Sequence, residues 1–489
     1  MRRLFLSLCL MAALMVNAAT FSTFDSRTDF RDESIYFVMT TRFFDGDPSN
    51  NVHCWDAAQA GNTGDPEWRG DFKGLIDRLD YIKALGFTAI WMTPIVENAS
   101  GYDYHGYHAS NFSDVDHRYN TYAEGADKNT ATPLVGFQQV VDEAHKRGMK
   151  IILDIVLNHT GNFGEFNLCR EFQRDWSADQ SKINDCMKVV PAANDGKLPS
   201  NYAALPAGQQ YDTRLAMMKN TDGKNHDTHN YWHHYGNFNW DEPNRWWAQI
   251  AGDCVDLNTE NEAVAAYLRE CYGKFIAMGV DGFRIDTSGH IARLAFNKNF
   301  IPQFNQMGAD NKSKRGEAAS EFFMFGEVCA RHSGGISYRQ HANLSPFYYT
   351  WKESKNYDWD YTAESWNSLQ LFESNACSVH KNHLSCEQQG KDDFGEFVAG
   401  RTTNNALLNG NEYHTPDYSQ YSGFSVIDFP MHWTFGNASG AWNTANPSND
   451  KYYNDATYNV VYVDSHDYGP DQDTRYSGSQ ESWAENLSL

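Results

Sequence analysis

From about residue 34 to 290, short apolar runs alternate with amphipathic stretches that end in glycine. SIYFVMTTRFF, over 34–44, is rich in β-branched and aromatic residues and reads as an opening strand. Phe72, Leu75, Ile76, Leu79, Ile82 and Leu85 then recur at helical spacing, with Asp71 placed as N-cap and Gly86 as the stop. FTAIWMTP (87–94) is the second strand. Thr132-Pro133 opens a second helix, whose apolar face is Phe137, Val140, Val141 and Ala144 and whose end is Gly148. MKIILDIVLNH (149–159) is the third strand, and a helix over 261–278, stopped by Gly279, leads into VDGFRID (280–286) as the fourth. Three helix–glycine–strand units in succession predict a parallel β/α architecture.

Residues 161–253 break this rhythm with polar and aromatic segments such as GNFGEF, PAANDGKLPS and YWHHYGNFNW. So long an irregular stretch predicts a small inserted domain rather than one loop. A second irregular insert spans about 331–423, after which FSVIDFPMHW (424–433) and YNVVYVD (458–464) read as strands six and seven. SQESWAENLSL begins a further helix, but no eighth strand follows it. A barrel one strand short has open edges and a breached core, so these 489 residues are expected to be part of a longer protein.

The first residues change the picture of where the chain works. Arg2 and Arg3 precede a thirteen-residue apolar run, Leu4 to Val16, and Val16-Asn17-Ala18 offers a cleavage site. This is the pattern of an export signal over 1–18, and the run is shorter than the ~20 apolar residues a membrane span needs. The expected location is therefore extracellular or periplasmic. Acidic residues outnumber basic ones 63 to 40, which argues against nucleic acid or an anionic membrane as partner. Removal of the signal leaves eight cysteines, an even number that permits disulfides; close spacing favours Cys169–Cys186 and Cys377–Cys386. No cysteine–histidine cluster has the spacing of a zinc site.

Candidate chemistry lies in four segments: DIVLNH (Asp154 to His159), GFRID (Gly282 to Asp286), FGEV (Phe325 to Val328) and VDSHD (Val463 to Asp467). Each is an apolar run that turns polar where a buried strand would surface, the place where a parallel barrel gathers its chemistry. Any one alone has an ordinary explanation, such as a solvated glutamate or a structural strand-end aspartate. Four in this order resemble the conserved regions of the alpha-amylase family of glycoside hydrolases. The resemblance covers about 34–489 and implies a (β/α)8 barrel of the TIM type, formed by 19–160 and 254–489. The inserted domain, at 161–253, follows strand three, and the eighth strand is missing from the chain.

Retaining glycoside hydrolysis takes one carboxylate as nucleophile and another, about 5 to 5.5 Å away, as acid/base. The resemblance implies Asp286 as nucleophile, Glu327 as acid/base and Asp467 as a third acid that grips the sugar. Arg284 lies two residues before Asp286, on the same face of a strand, where a guanidinium would keep that carboxylate ionised. Glu327 is expected to need a raised pKa. By resemblance, His159 and His466 bind the sugar at the cleavage point, Tyr107 of DYHGYH (103–108) stacks on it, and His105 is a polar neighbour. His290 is expected beside the substrate as well.

Two calcium sites are also expected, as one or two structural ions. FDGDPSNN (44–51) puts Asp45, Asp47, Asn50 and Asn51 within seven residues, with Asp71 following; clustered oxygens suit calcium. That loop resembles a calcium loop of cyclodextrin glucanotransferases and related bacterial amylases. Asn158, Asp256 and the carbonyl of His290 match the family calcium between inserted domain and barrel. Two departures stand out: Gly289 replaces the usual lysine before His290, and Ser465 the usual asparagine.

The expected protein is an exported, monomeric, calcium-binding retaining endo-hydrolase of α-1,4 bonds in starch-like polysaccharide or maltooligosaccharides. A glucanotransferase or neopullulanase-like relative with the same acids, and a non-catalytic glucan-binding barrel, are the competing expectations.

Overall fold

The computed structural model describes residues 27–52, 68–98, 104–161, 231–233, 235–237, 246–250, 254–316, 321–328, 349–350, 421–427 and 459–462. The expected export signal, the two cysteine pairs, most of the inserted domain and both residues of interest in VDSHD lie outside them. Among the described residues no helix is long and apolar enough to cross a membrane.

Six strands form one sheet in chain order: β1 (Ile35–Val38), β2 (Ala89–Met92), β3 (Lys150–Val156), β4 (Gly282–Asp286), β5 (Phe323–Gly326) and β6 (Ser425–Val426). Every adjacent pair is parallel, so each connection must cross back over the sheet. Ile427 continues the series with a parallel bridge to Val460, inside the segment expected as strand seven.

Helices cover the outer face, and the residues of three of them show why. In α1 (Phe72–Ala84) the buried side chains are Phe72, Leu75, Leu79 and Ile82, a single helical stripe. The Asp71 side chain caps it by accepting from the Gly74 amide at 2.6 Å. In α2 (Phe137–Lys146) Phe137, Val140, Val141 and Ala144 are buried. This helix starts later than Thr132-Pro133 predicts, because Val135 is held extended by an antiparallel bridge to Thr121. Gly136 is then the N-cap, its amide donating to the Gln139 side chain at 2.8 Å. α3 (Glu262–Met278) runs from the Asn261 cap to Gly279, whose φ of 106° lies in the left-handed region that only glycine enters freely.

The opening strand is shorter than its composition predicts. After Val38 the chain makes one helical turn, Thr40–Phe43, whose Thr41 carbonyl accepts the amides of Arg69 and Gly70. Gly70 is required there, since a Cβ would stand 1.8 Å from the Thr40 carbonyl oxygen.

β3 is buried along its whole length. Ile151, Leu153 and Ile155 belong to the larger apolar cluster with the helices. Its alternate residues face the sheet's other side in layers. Lys150 makes a fully buried ion pair with Glu33 at 2.7 Å, Ile152 packs with Trp91, Phe325 and Ile427, and Asp154 lies beyond them. That inner face thus runs from charged to apolar to charged, and the last layer carries the site.

Candidate active site

Register explains why three of the four segments, DIVLNH, GFRID and FGEV, meet. Arg284 of β4 is the ladder partner of Asp154 on β3 and of Phe325 on β5. Partners in a parallel ladder point to the same face, so the arginine and aspartate emerge side by side. Arg284 Nη1 donates to both oxygens of Asp154 at 3.0 Å and to Asp286 Oδ1 at 2.7 Å. Its Nη2 donates to Glu327 Oε2 at 2.7 Å. One guanidinium therefore holds the proposed nucleophile and the proposed acid/base together, deep in a buried site. Asp286 is 6% exposed and Glu327 8%, enough for contact with a bound molecule but not with bulk solvent.

Asp154 is the anchor of this arrangement. Besides Arg284, its Oδ2 accepts from Trp91 Nε1 at 3.0 Å and from the Tyr107 hydroxyl at 2.8 Å. Burial pushes its carboxyl up, to about 7, against the opposing pull of Arg284; Asp286 adds to the upward push. Burial also works against the Arg284 charge, but Asp154, Tyr107, Asp286 and Glu327 hold the guanidinium well above its ordinary value. The Arg284 guanidinium also lies 5.2 Å from the Trp91 ring centroid.

The sugar-binding candidates surround this hub. Tyr107 links directly to Asp154, and the His105 ring stacks on the Tyr107 ring with centroids 5.7 Å apart. His159 donates from Nε2 to the Tyr107 carbonyl at 3.0 Å and from Nδ1 to Asn158 Oδ1 at 2.9 Å. Burial alone would lower the His159 pKa, yet the nearby Cys254 sulfur and Asp286 raise it to about 9. The imidazolium that results can make both donations. His290 is buried in the helical turn Ser288–His290 that follows Asp286. Asp467 and His466 lie outside the described residues.

Three residues at the site received no role from the sequence: Asp154, Trp91 and Thr287. Asp154 had a readable signal, a lone charge in the apolar run IILDIVL, which a buried strand must pair. Trp91 had none. Thr287 carries an unusual backbone, φ 44° and ψ 35°, the left-handed region that β-branched residues seldom enter and that costs roughly 1–3 kcal/mol.

The loop expected to hold calcium has the chemistry of a cation seat. Asp45 Oδ1, Asn50 Oδ1 and Asn51 Oδ1 are all buried with no hydrogen-bond donor. Three bare oxygens in one loop would be unfavourable together without a cation. Asp71 serves differently: its oxygens accept from the amides of Gly46, Asp47 and Gly74 and from the Asn50 side chain, tying the loop to α1. Asp47 Oδ1 accepts from the amide and hydroxyl of Ser49. The second constellation is less complete. Asp256 leaves Oδ1 without a donor, while its Oδ2 takes His233 Nδ1 at 2.7 Å. Asn158 Oδ1 is already engaged by His159 and Thr287. Among the described residues no group of three or more His, Cys, Asp or Glu is disposed to hold a metal, and the bare oxygens of the first loop are one carboxylate and two amide oxygens.

Comparison with known proteins agrees with this geometry. The alpha-amylase catalytic-domain model matches residues 37–393. The chain is 29% identical over 343 residues to a beta/alpha-amylase of Paenibacillus polymyxa, covering 68% of this chain and 22% of that protein. It is 28% identical over 315 residues to a cyclomaltodextrin glucanotransferase of Bacillus sp. (strain 1011), covering 62% and 37%. It is 29% identical over 303 residues to an alpha-amylase of Saccharomycopsis fibuligera, covering 60% and 47%. The chain thus spans less than half the length of each of these relatives. In fold it is similar to the crystal structure of a cyclomaltodextrin glucanotransferase with a three-domain ABC distribution, with a TM-score of 0.51 at 21% identity over 93% of this chain and 68% of that one. With the matched model spanning the strands that carry Asp154, Arg284, Asp286 and Glu327, this chain belongs to the alpha-amylase family, whose catalytic domain is a (β/α)8 barrel.

Proposed function

We propose that the chain hydrolyses α-1,4 bonds within starch-like glucans with retention of configuration, through a covalent glycosyl-enzyme. The observation that carries this reading is Arg284, whose Nη1 and Nη2 hold Asp286 and Glu327 at 2.7 Å each. Two carboxyls gripped by one guanidinium suit the short separation of retaining enzymes better than the ~6.5–9.5 Å that leaves room for an inverting water. Asp286 attacks the anomeric carbon while Glu327 protonates the departing glycosidic oxygen from the oxygen Arg284 does not hold. Tyr107 and His159 orient the sugar, and Asp467 grips it as the third acid. Soluble starch followed by proton NMR tests this directly. Release of α-anomeric maltooligosaccharides is expected; β-anomeric products would overturn the mechanism. Cyclic or transferred products would favour glucanotransferase action, a reading supported by the resemblance to cyclomaltodextrin glucanotransferases.

The same reading gives the chain an export signal at 1–18 and a structural calcium held by Asp45, Asn50 and Asn51. The ion would neutralise bare oxygens at the foot of α1, far in role from the bond-breaking step. Calcium at about 100 times its dissociation constant should stabilise the fold by about 2.7 kcal/mol. Thermal unfolding should therefore shift upward with added calcium, and Asp45→Ala should abolish the shift. A calcium-independent midpoint in the wild type would remove this site.

A further inference from the structure

Thr287 stands where three parts of the site converge. Its amide approaches Glu327 Oε2 at 3.4 Å, and its hydroxyl lies 3.1 Å from Asp286 Oδ2. The same hydroxyl is in still closer contact with Asn158 Oδ1. A threonine hydroxyl has one proton, so with two acceptors it can donate fully to only one at a time. Among the described residues it is also the one non-glycine with positive φ, held there by the turn in which the His290 amide donates to its carbonyl at 2.8 Å. The observed outlier places the hydroxyl between nucleophile and strand end, where an extended backbone at this position would carry it elsewhere.

We propose that Thr287 is a positioning residue whose hydroxyl turns between Asn158 and the Asp286 carboxylate during the covalent cycle. The inference rests on the retaining reading above. Arg284 holds Asp286 Oδ1, which makes Oδ2 the attacking oxygen. A donor on Oδ2 would stabilise the carboxylate before attack and slow it. With the hydroxyl turned to Asn158, one donor fewer competes for the Oδ2 electrons that form the bond to the anomeric carbon. In the second half of the cycle water attacks that carbon and gives its proton to Glu327. The bond from carbon to Oδ2 breaks, and its electron pair returns to the Asp286 carboxylate. The hydroxyl then swings back and donates to Oδ2 as negative charge reappears there, which aids the departure of the carboxylate, and it turns to Asn158 again when the next sugar binds.

This predicts a particular division of kinetic effects. Thr287→Val keeps shape and β-branching but removes the donor. Its deglycosylation should slow by about tenfold, the loss expected for one hydrogen bond to a charged group. On α-maltosyl fluoride, kcat and KM should fall together, with kcat/KM within about twofold of wild type, and the glycosyl-enzyme should accumulate in quenched samples read by mass spectrometry. Thr287→Ser should restore kcat and abolish accumulation; Thr287→Ala gives the same comparison should the valine variant fail to fold. Unchanged kcat, or a loss shared by kcat/KM without accumulation, would overturn the switch. Trapping wild type with a 5-fluoro glycosyl fluoride and mapping the labelled peptide separates the two ideas. A label on Asp286 with indifferent Thr287 variants sinks this proposal alone, whereas a label elsewhere sinks the retaining assignment and this proposal with it.

Discussion

Asp286→Asn is expected to abolish turnover on soluble starch, with kcat reduced by at least about 10⁴-fold, while affinity for maltooligosaccharides stays close to wild type. The size follows from what the amide cannot do. It has nearly the shape of the carboxylate and can still accept from Arg284 Nη1, which now contacts Asp286 Oδ1 at 2.7 Å. It carries no charge and is a poor nucleophile toward an anomeric carbon, so the covalent path closes. Binding survives because the residues proposed to hold sugar, Tyr107, His105 and His159, are fixed through Asp154 and through one another. Initial rates on starch, alongside calorimetric titration with a maltooligosaccharide, give both numbers. Hydrolysis within tenfold of wild type would transfer the nucleophile's role to another residue.

Arg284→Met gives the second large effect, and it strikes stability as well as activity. The Asp154 side chain has no solvent exposure, and its partner's is 2%. Deleting one member of a buried ion pair costs about 3–5 kcal/mol, because the remaining charge stays desolvated. Trp91 and Tyr107 still donate to Asp154, so the loss should fall toward the lower end of that range. Activity should drop below detection, since Asp286 and Glu327 lose the group that holds them together. Arg284→Lys separates the two consequences. An ammonium restores the charge beside Asp154 and much of the stability, but a single nitrogen cannot repeat the two-pronged grip on Asp286 and Glu327. Denaturant unfolding and kcat for both variants make the test. A lysine variant that regains wild-type turnover would show that charge alone, without the fork, is what the site uses.

The sequence was most informative where regular periodicity and strand ends coincide. The stripe of Phe72, Leu75, Leu79 and Ile82, and the glycines closing the helices, are visible because a helix on a sheet must hide one face. Asp286 and Glu327 stood out only as members of four segments in a fixed order, since either charge alone at a strand end has an ordinary structural explanation. Two kinds of information were not legible. Val135 pairs with Thr121 and delays α2, a tertiary contact that overrides the Thr-Pro signal. Trp91 and Thr287 act through the directions their atoms take, a ring N–H across two strands and a hydroxyl set by a left-handed backbone. Neither direction is encoded in residue type or spacing. The loop proposed to hold calcium falls between these cases: its oxygen-rich composition and the Asp71 cap were plain, but only the structure shows which three oxygens are left bare.

The shared guanidinium has a consequence for how the site's parts can be ranked. Because Arg284 touches Asp154, Asp286 and Glu327 at once, neutralising any one acid frees hydrogen-bond capacity that the others can take up. Single substitutions will then misstate each residue's share, and the double and triple variants will fall well short of the sum of the singles. The three acids and the arginine behave as one thermodynamic unit, so complete mutant cycles rather than individual scans are the proper coordinates for describing it.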